Sequence, residues 1–381
     1  MLDYFADIVR PETPEELAQA LAWASARRQT VELGGSFSKR RMGGPAATSN
    51  LVISTCRLNR VRQYEPRDLT ISVEAGVPYC EVRRLLAEHR QMLPLDPPFS
   101  SSATAGGVVA ANCNGPRRRL YGTARDMVIG MEFATMQGKL VRSGGMVVKN
   151  VAGLDMGKLM IGSFGTLAAI ALINFKVIPQ PPLDRSFRFS FACLEEAIAR
   201  RDTLLKCPLD FAAMDLMKLD AAWTLAVRAG GNTAAVARYG RELAALGARP
   251  IPAGEDGVFW DAIENFTPQY LDSHGDGAVV RVSCTLKELK SVLQAAPGPA
   301  IARAGSGVCY IYFDEVREAA AFAAAMAPEH PETVVEFAPE NRKAEFKLWP
   351  APGQDLEIMR RIKHMFDPHL LLNRGRLYQH I

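Results

Sequence analysis

The sequence predicts an α+β protein of two domains, and three observations support this prediction. The chain has 381 residues, which exceeds a typical single domain. Its first half reads as short apolar strands separated by glycine-rich turns, whereas strands and helices alternate in the second half, as in a domain built on one sheet. Between the halves, residues 178–182 (Ile-Pro-Gln-Pro-Pro) cannot continue a sheet, so we place a domain boundary there.

In the first half, the predicted elements follow from capping signals and hydrophobic periodicity. Thr13, Pro14 and Glu16 form a capping pattern for a helix that runs to about Arg27. We expect strands at 30–33, 51–54, 68–75 and 167–177, helices at 77–89 and 154–160, and a hairpin over 127–142 that turns at Gln137-Gly138. Residues 94–122 are rich in Gly, Ala, Ser and Asn, which favours a long functional loop.

In the second half, strands and helices alternate along one predicted sheet. We expect strands at 186–191, 210–218, 223–229, 308–313 and 333–337, and helices at 194–205, 233–246, 315–326 and 356–366.

Composition argues against several classes of function, among them nucleic-acid binding and metal ligation by cysteine. The net charge of +4 is small for this length and gives no reason to expect nucleic-acid binding. The basic runs 39–41 and 117–119 are interpreted as solvated loops, with contact to a phosphate or to a partner subunit as the alternative. The chain shows no secretory signal and no apolar stretch long enough to span a bilayer. Its seven cysteines are scattered without a CxxC pair, which argues against zinc or iron–sulfur ligation and for a cytoplasmic protein with reduced thiols.

Glycine-rich segments carry the chemistry of the first half. They are residues 33–38, residues 96–115, residues 121–126, residues 149–155 and residues 162–167. Adjacent glycines at 34–35 and 106–107 can expose successive backbone N–H groups and so form a concavity for a diphosphate. A simple turn at 34–35, and a buried alanine-glycine helix around 106–107, remain the alternative interpretations.

The order of these segments resembles the FAD-binding domain of vanillyl-alcohol oxidase-type (PCMH-type) flavoproteins over roughly the first 180 residues. More narrowly, residues 148–167 resemble the K-N-V-A-G-Y-D and G-S-x-G-T-L-G segments of the E-type subunit of bacterial glycolate oxidase. Residues 363–369 and 373–378 resemble its closing K-x-x-F-D-P and N-P-G-R-x-Y motifs. Leu154, Ala168 and Arg374 depart from that pattern, where the family has tyrosine, glycine and proline.

The resemblance implies a PCMH-type FAD-binding domain of two α/β subdomains at 1–180. It also implies a smaller α+β cap with a ferredoxin-like sheet on the substrate side at 181–350, and a tail at 351–381 that returns to the flavin domain. FAD is expected to be non-covalent, because no histidine lies in the cofactor loops. The implied cofactor-binding residues are Gly34, Gly35, Ser36, Phe37, Ser38, Pro97, Thr104, Gly106, Gly107, Ala110, Asn112, Gly115, Tyr121, Gly122, Arg125, Asp126, Gly162, Gly165, Ile170 and Asn373.

The implied function is that of an FAD-binding subunit of a glycolate oxidase complex, which oxidises glycolate, a small 2-hydroxy acid, to glyoxylate. Its partners would be a catalytic D-type flavoprotein and an iron–sulfur subunit, and any association with the inner membrane would be indirect, through them. A self-sufficient FAD-dependent 2-hydroxy acid dehydrogenase and a flavin-free scaffold are the alternatives.

The sequence identifies neither catalytic residues nor a metal site. His274 is interpreted as part of a polar turn, with a metal or substrate role as the alternative, and His364 and His369 as residues that complement a helix end. Phe259 and Trp260 are interpreted as core residues, with a place in a substrate pocket as the alternative.

Overall fold

A computed structural model describes residues 8–45, 47–147, 154–219, 221–378 and 381. In its first half, the elements in chain order are β1 (Ile8–Val9), α1 (Pro14–Ala26), β2 (Val31–Gly34), β3 (Leu51–Ser54), β4 (Val61–Glu65), β5 (Thr70–Glu74), α2 (Tyr79–Glu88), β6 (Gln91–Met92), α3 (Ala105–Ala110), α4 (Arg118–Tyr121), α5 (Ala124–Met127), β7 (Val128–Ala134), β8 (Leu140–Gly144), α6 (Gly157–Met160), β9 (Ala169–Lys176) and β10 (Ile178–Pro179). Strands β1, β3 and β2 form a parallel sheet, and β4-β5-β9-β7-β8 form an antiparallel one.

The second half contains β11 (Leu183–Phe191), α7 (Leu194–Lys206), β12 (Ala213–Lys218), β13 (Trp223–Gly231), α8 (Thr233–Ala245), β14 (Arg249–Pro250), α9 (Asp256–Glu264), α10 (Phe266–Ser273), β15 (Ala278–Ser283), α11 (Leu289–Ala295), β16 (Ala300–Arg303), β17 (Val308–Phe313), α12 (Val316–Met326), β18 (Val334–Phe337) and α13 (Asp355–Phe366). Its eight strands form one antiparallel sheet in the order β14-β11-β13-β12-β16-β17-β15-β18. The predicted α+β class is confirmed.

Helix α1 begins where its capping signals predict. The hydroxyl of Thr13 accepts the backbone N–H of Glu16 at 3.1 Å. The Glu16 carboxylate in turn accepts the N–H of Glu12 at 2.7 Å, one residue earlier than a standard capping box requires. The hairpin of β7 and β8 also turns where predicted, and Gly138 supplies the positive φ of +78°.

Two predicted features of the first half need correction. The segment 94–122 is not loop throughout, because α3 and α4 lie within it, and the Thr104 hydroxyl caps α3 by accepting the Gly107 N–H at 3.2 Å. The alanine-glycine helix is therefore the right local structure for residues 105–110. The proline-rich segment does contribute to a sheet, since Ile178–Pro179 pair with Gln91–Met92 in a two-stranded ribbon. Proline is tolerated there because such a strand lies at a sheet edge.

The C-terminal segment packs against the first half. Leu371 and Leu372 are buried in the cluster of α1, β2 and β3, and Leu372 pairs with Val31 in a parallel bridge. Ile362 and Phe366 of α13 pack against the core of the five-stranded sheet. The eight-stranded sheet lies within residues 183–337, inside the segment predicted as the cap; the domain boundaries themselves stay a prediction. No described helix has the length and apolar character that crossing a membrane requires.

Candidate functional site

The first cavity is an open space of about 850 Å³ between the end of β2, helix α3 and the segment that leads into β9. Twelve of the predicted cofactor-binding residues line it: Gly34, Gly35, Ser36, Phe37, Ser38, Thr104, Gly106, Gly107, Ala110, Gly165, Ile170 and Asn373. Asn112 and Gly162 line a second, adjoining cavity instead. The remaining six lie outside the linings of both: Pro97, Gly115, Tyr121, Gly122, Arg125 and Asp126. Direct cofactor contact by each residue stays a prediction.

One glycine of each pair, Gly35 and Gly106, lies where two neighbouring segments touch. A Cβ on Gly35 would lie 2.2 Å from the Thr104 hydroxyl oxygen. A Cβ on Gly106 would lie 2.7 Å from that of Ala75 and 2.9 Å from its carbonyl oxygen, which already accepts the Gly106 N–H at 2.8 Å. Larger residues would push the backbones apart, so glycine keeps the floor of the cavity closed.

The C-terminal tail ties two walls of the first cavity together through Asn373. Its side-chain oxygen accepts the N–H of Leu33 at 2.7 Å, and its Nδ2 donates to the carbonyl oxygens of Leu33 at 3.0 Å and Phe164 at 2.8 Å. The residue has a φ of +45°, a conformation that asparagine tolerates better than most side chains.

Below this contact lies a buried ion pair. The Lys363 ammonium donates to the Asp367 carboxylate at 2.8 Å and to the carbonyl oxygens of Thr166 at 2.6 Å and Leu372 at 2.8 Å. Burial lowers the pKa of Lys363, and Asp367 opposes that shift. All three ammonium protons have partners, so the pair anchors the tail beneath the cavity wall.

The basic run 39–41 is buried or half-buried, which contradicts its interpretation as a solvated loop. Lys39 is 8% exposed and lines the first cavity, and burial lowers its pKa. Arg40 forms an ion pair with Glu32 at 3.0 Å, and Arg41 donates to the Leu271 carbonyl oxygen at 2.7 Å. The sequence signal that was missed is the position of the run, directly after the glycine segment at 33–38.

The second basic run divides between the two halves of the chain. Arg117 is paired with Asp96 at 3.5 Å, and Arg119 donates to the Gly305 carbonyl oxygen at 3.5 Å. Arg118 is exposed, lines the second cavity and forms no ion pair with the described residues. Within this run, Arg118 is therefore the residue whose exposed guanidinium can contact a ligand.

The second cavity lies between the first half and the eight-stranded sheet, and it shares Ala111 and Phe164 with the first. Six charged side chains line it, three acidic and three basic: Asp96, Glu264, Glu336, Arg118, Arg281 and Arg303. Arg281 is bonded to Glu336 at 3.0 Å, and Arg303 to the fully buried Asp215. The sequence does not reveal these two ion pairs, because no motif marks their residues and only strand pairing brings them together.

Glu264 stands out among these groups. Its side chain is 4% exposed and accepts from Arg83 of α2 at 2.9 Å, across the contact between the two halves. Burial raises the pKa of Glu264 to about 7, because it outweighs the opposing effect of Arg83. A carboxyl group with this pKa can give and take protons near neutral pH.

The other residues singled out from the sequence have structural roles. The His274 ring stacks on Tyr270, and its Nδ1 lies 2.9 Å from the Tyr270 carbonyl oxygen. His369 lies 2.6 Å from an Arg28 nitrogen. Trp260 is buried and donates to the Ser186 hydroxyl at 2.7 Å, which supports core packing. Within the described ranges, no group of His, Cys, Asp and Glu side chains could hold a metal ion.

The departures from the family pattern lie in different surroundings. Ala168 is buried and lines the first cavity, Leu154 is 84% exposed, and Arg374 is exposed. The segment that resembles K-N-V-A-G-Y-D lies mostly outside the described residues, because 148–153 are not among them.

Comparisons with known proteins agree with this geometry. Residues 6–144 match the family described as FAD binding domain, which confirms FAD as the predicted cofactor. Glycolate oxidase subunit GlcE of Escherichia coli is 36% identical over 186 residues, 49% of this chain and 52% of that protein. D-2-hydroxyglutarate dehydrogenase of Xanthomonas citri pv. viticola is 33% identical over 175 residues, 46% of this chain and 37% of that protein. Glycolate oxidase subunit GlcD of Bacillus subtilis is 30% identical over 174 residues, 46% of this chain and 37% of that protein.

The matches therefore span about half or less of these curated relatives. A solved structure of alkyldihydroxyacetonephosphate synthase superposes on this chain with a TM-score of 0.71 at 17% sequence identity. The superposition covers 96% of this chain and 75% of the synthase chain. This likeness shows the shared fold.

Proposed function

Given an N-terminal half that carries a domain of the FAD-binding family, we propose that this chain is the FAD-binding subunit of a glycolate oxidase-type complex. The reaction would be the oxidation of glycolate, a 2-hydroxy acid, to glyoxylate. One observation carries the proposal: the glycine-lined cavity adjoins a second cavity that contains guanidinium groups, and Ala111 and Phe164 line both.

The first cavity fits FAD. Residues 34–38 line the cavity, and the glycine-containing loop there can present backbone N–H groups to a diphosphate. The N–H groups of Gly106 and Gly107 are already bonded within the protein, to the Ala75 carbonyl oxygen and the Thr104 hydroxyl. The buried Lys39 Nζ has no hydrogen-bond partner among the described residues, as expected where an anionic group is to bind. When bound, FAD supplies a two-electron acceptor for the oxidation of a C–H bond next to a hydroxyl group.

The second cavity fits a small hydroxy acid. Arg118 offers a guanidinium that no described carboxylate neutralises, and such a group binds a carboxylate with two hydrogen bonds. Glu264 has the pKa of a group that can accept the hydroxyl proton when the alcohol is oxidised. We therefore propose Arg118 for substrate binding and Glu264 as the general base.

The proposed partners are a catalytic D-type flavoprotein and an iron–sulfur subunit that takes the electrons onward, with any membrane association through them. Support comes from two relatives, GlcE and GlcD, which are both named as subunits. Assembly with these partners stays a proposal.

A second candidate is a self-sufficient 2-hydroxy acid dehydrogenase. The observation that favours it is the presence of Arg118 and Glu264 in one cavity lining, because one chain would then supply both a group that binds the carboxylate and a group that accepts the hydroxyl proton.

The first experiment is an absorption spectrum of the purified chain, followed by anaerobic addition of glycolate and then D-lactate. Bound flavin that stays oxidised supports the subunit that needs its partner. Bleaching by either acid supports the self-sufficient dehydrogenase. A chain that binds no flavin, even after FAD is added, contradicts both and leaves the scaffold.

A further inference from the structure

Lys39 is a buried basic side chain that pairs with no acidic side chain among the described residues. The residue is 8% exposed, and its Nζ has no hydrogen-bond partner within the described part of the chain. Its only close aromatic contact among those residues is the ring of Phe99, 5.8 Å from Nζ. A buried ammonium without a partner is costly, so its retention at a cavity wall points to an anionic ligand.

The neighbours of Lys39 place its ammonium towards the second cavity. The Phe99 ring lies 5.9 Å from that of Phe337, which lines the second cavity. Cys113 lines the same cavity and raises the pKa of Lys39, in opposition to the lowering by burial. Lys39 also lines the first cavity. The ammonium is therefore near the junction of the two cavities.

A flavin ring would lie at this junction if the diphosphate bound at residues 34–38 and the substrate bound in the second cavity. Transfer of a hydride to flavin carries one negative charge with it, and that charge resides on the N1–C2=O edge of the reduced ring. A nearby cation stabilises this state more than the uncharged oxidised ring.

We propose that the Lys39 ammonium pairs with the N1–C2=O edge of the reduced flavin and raises the reduction potential of the bound cofactor. This inference rests on the proposed binding of FAD in the first cavity. It assigns Lys39 to the reacting end of the cofactor and leaves the diphosphate to the backbone N–H groups.

The test is Lys39→Met, which keeps the length of the side chain and removes its charge. Lys139→Met, the same change at an exposed position on the hairpin turn, is the matched control. The readouts are the Kd for FAD, the two-electron potential of the bound flavin and the Kd for sulfite, which adds to flavin and leaves the same negative charge on the ring.

We expect Lys39→Met to weaken sulfite binding at least tenfold and to lower the reduction equilibrium constant at least tenfold, which is about 30 mV for a two-electron couple. Lys139→Met should change neither. Since the substitution removes a buried charge, the apoprotein should remain folded. If Lys39→Met loses FAD at attainable concentrations, Lys39→Gln, which keeps a hydrogen-bond donor without the charge, is measured in its place.

Two results overturn the inference in distinguishable ways. A variant that binds FAD more weakly but keeps the wild-type potential and sulfite affinity places Lys39 at the diphosphate, and the proposed function stands. A wild-type chain that binds no FAD overturns the proposed function and this inference with it.

Discussion

Replacing Asn373 with alanine tests whether the C-terminal tail shapes the first cavity. The substitution removes three hydrogen bonds, to the N–H and carbonyl oxygen of Leu33 and to the carbonyl oxygen of Phe164. Both partner residues line the cavity. The side chain thus joins the strand before the first glycine segment to the loop before β9.

The expected loss follows from those contacts. Each hydrogen bond contributes about 1 kcal/mol net, so their removal lowers the free energy of unfolding by about 3 kcal/mol. Alanine at a φ of +45° adds up to about 1 kcal/mol. Asn373→Asp keeps the acceptor for the Leu33 N–H, but it places a buried carboxylate oxygen against the carbonyl oxygens of Leu33 and Phe164. It should therefore lose at least as much stability as alanine.

The assay is urea denaturation of the apoprotein, combined with titration of FAD by flavin fluorescence. Asn373→Ala should raise the Kd for FAD as well as lower stability. The matched control is Asn232→Ala, which removes the cap of α8 in the second half, where the side chain accepts the Ala235 N–H at 2.8 Å. It should cost about 1 kcal/mol and leave the Kd for FAD unchanged.

The role assigned to Asn373 is wrong if Asn373→Ala loses less than about 1 kcal/mol of unfolding free energy and binds FAD with wild-type affinity. In that case the tail would lie against the cavity without shaping it. A loss of stability with unchanged FAD affinity would show that Asn373 stabilises the fold without shaping the FAD site.

Three further substitutions test the packing and charges around the site, each by urea denaturation. Gly106→Ala should lower the free energy of unfolding by about 1–3 kcal/mol, because its methyl group would lie 2.7 Å from the side chain that follows β5. Lys363→Met leaves the Asp367 carboxylate buried without its cation and should cost about 3–5 kcal/mol. The pKa of Glu264 is about 7 in the folded chain, against 4.5 in the unfolded chain. Between these two pH values the unfolded chain releases its proton first, so the wild type should lose about 3 kcal/mol of unfolding free energy relative to Glu264→Gln as the pH rises from about 4.5 to 7.

Each of these three predictions has either a control variant or a result that would contradict it. Gly107→Ala should be tolerated better than Gly106→Ala, because its nearest contact is a side-chain atom at 3.2 Å; equal losses would contradict the close backbone contact. Adding Asp367→Asn to Lys363→Met should recover part of the loss. A pH-independent difference between wild type and Glu264→Gln would show that burial does not raise the pKa of that carboxyl.

Local sequence patterns predict most of the local structure. Thr13 and Pro14 start α1, Gly138 turns the hairpin, and residues 51–54 and 308–313 are strands with the predicted bounds. These features depend on residues that are close in the chain, so local pattern is enough to predict them. The glycine segments also predicted the first cavity, because glycine, which has no Cβ, is the residue that permits a close backbone approach.

The contacts between side chains far apart in the chain become visible in the folded structure alone. The pairing of Asp215 with Arg303, of Glu264 with Arg83 and the placement of Lys39 beside Phe99 depend on contacts between segments far apart in the chain. A charged residue has the same identity in solvent as in a cavity wall, and its pKa and its partners depend on burial and on neighbours that sequence separation does not reveal. The sequence therefore predicts the site that glycines mark, while the charges that would act in it become visible only once the chain is folded.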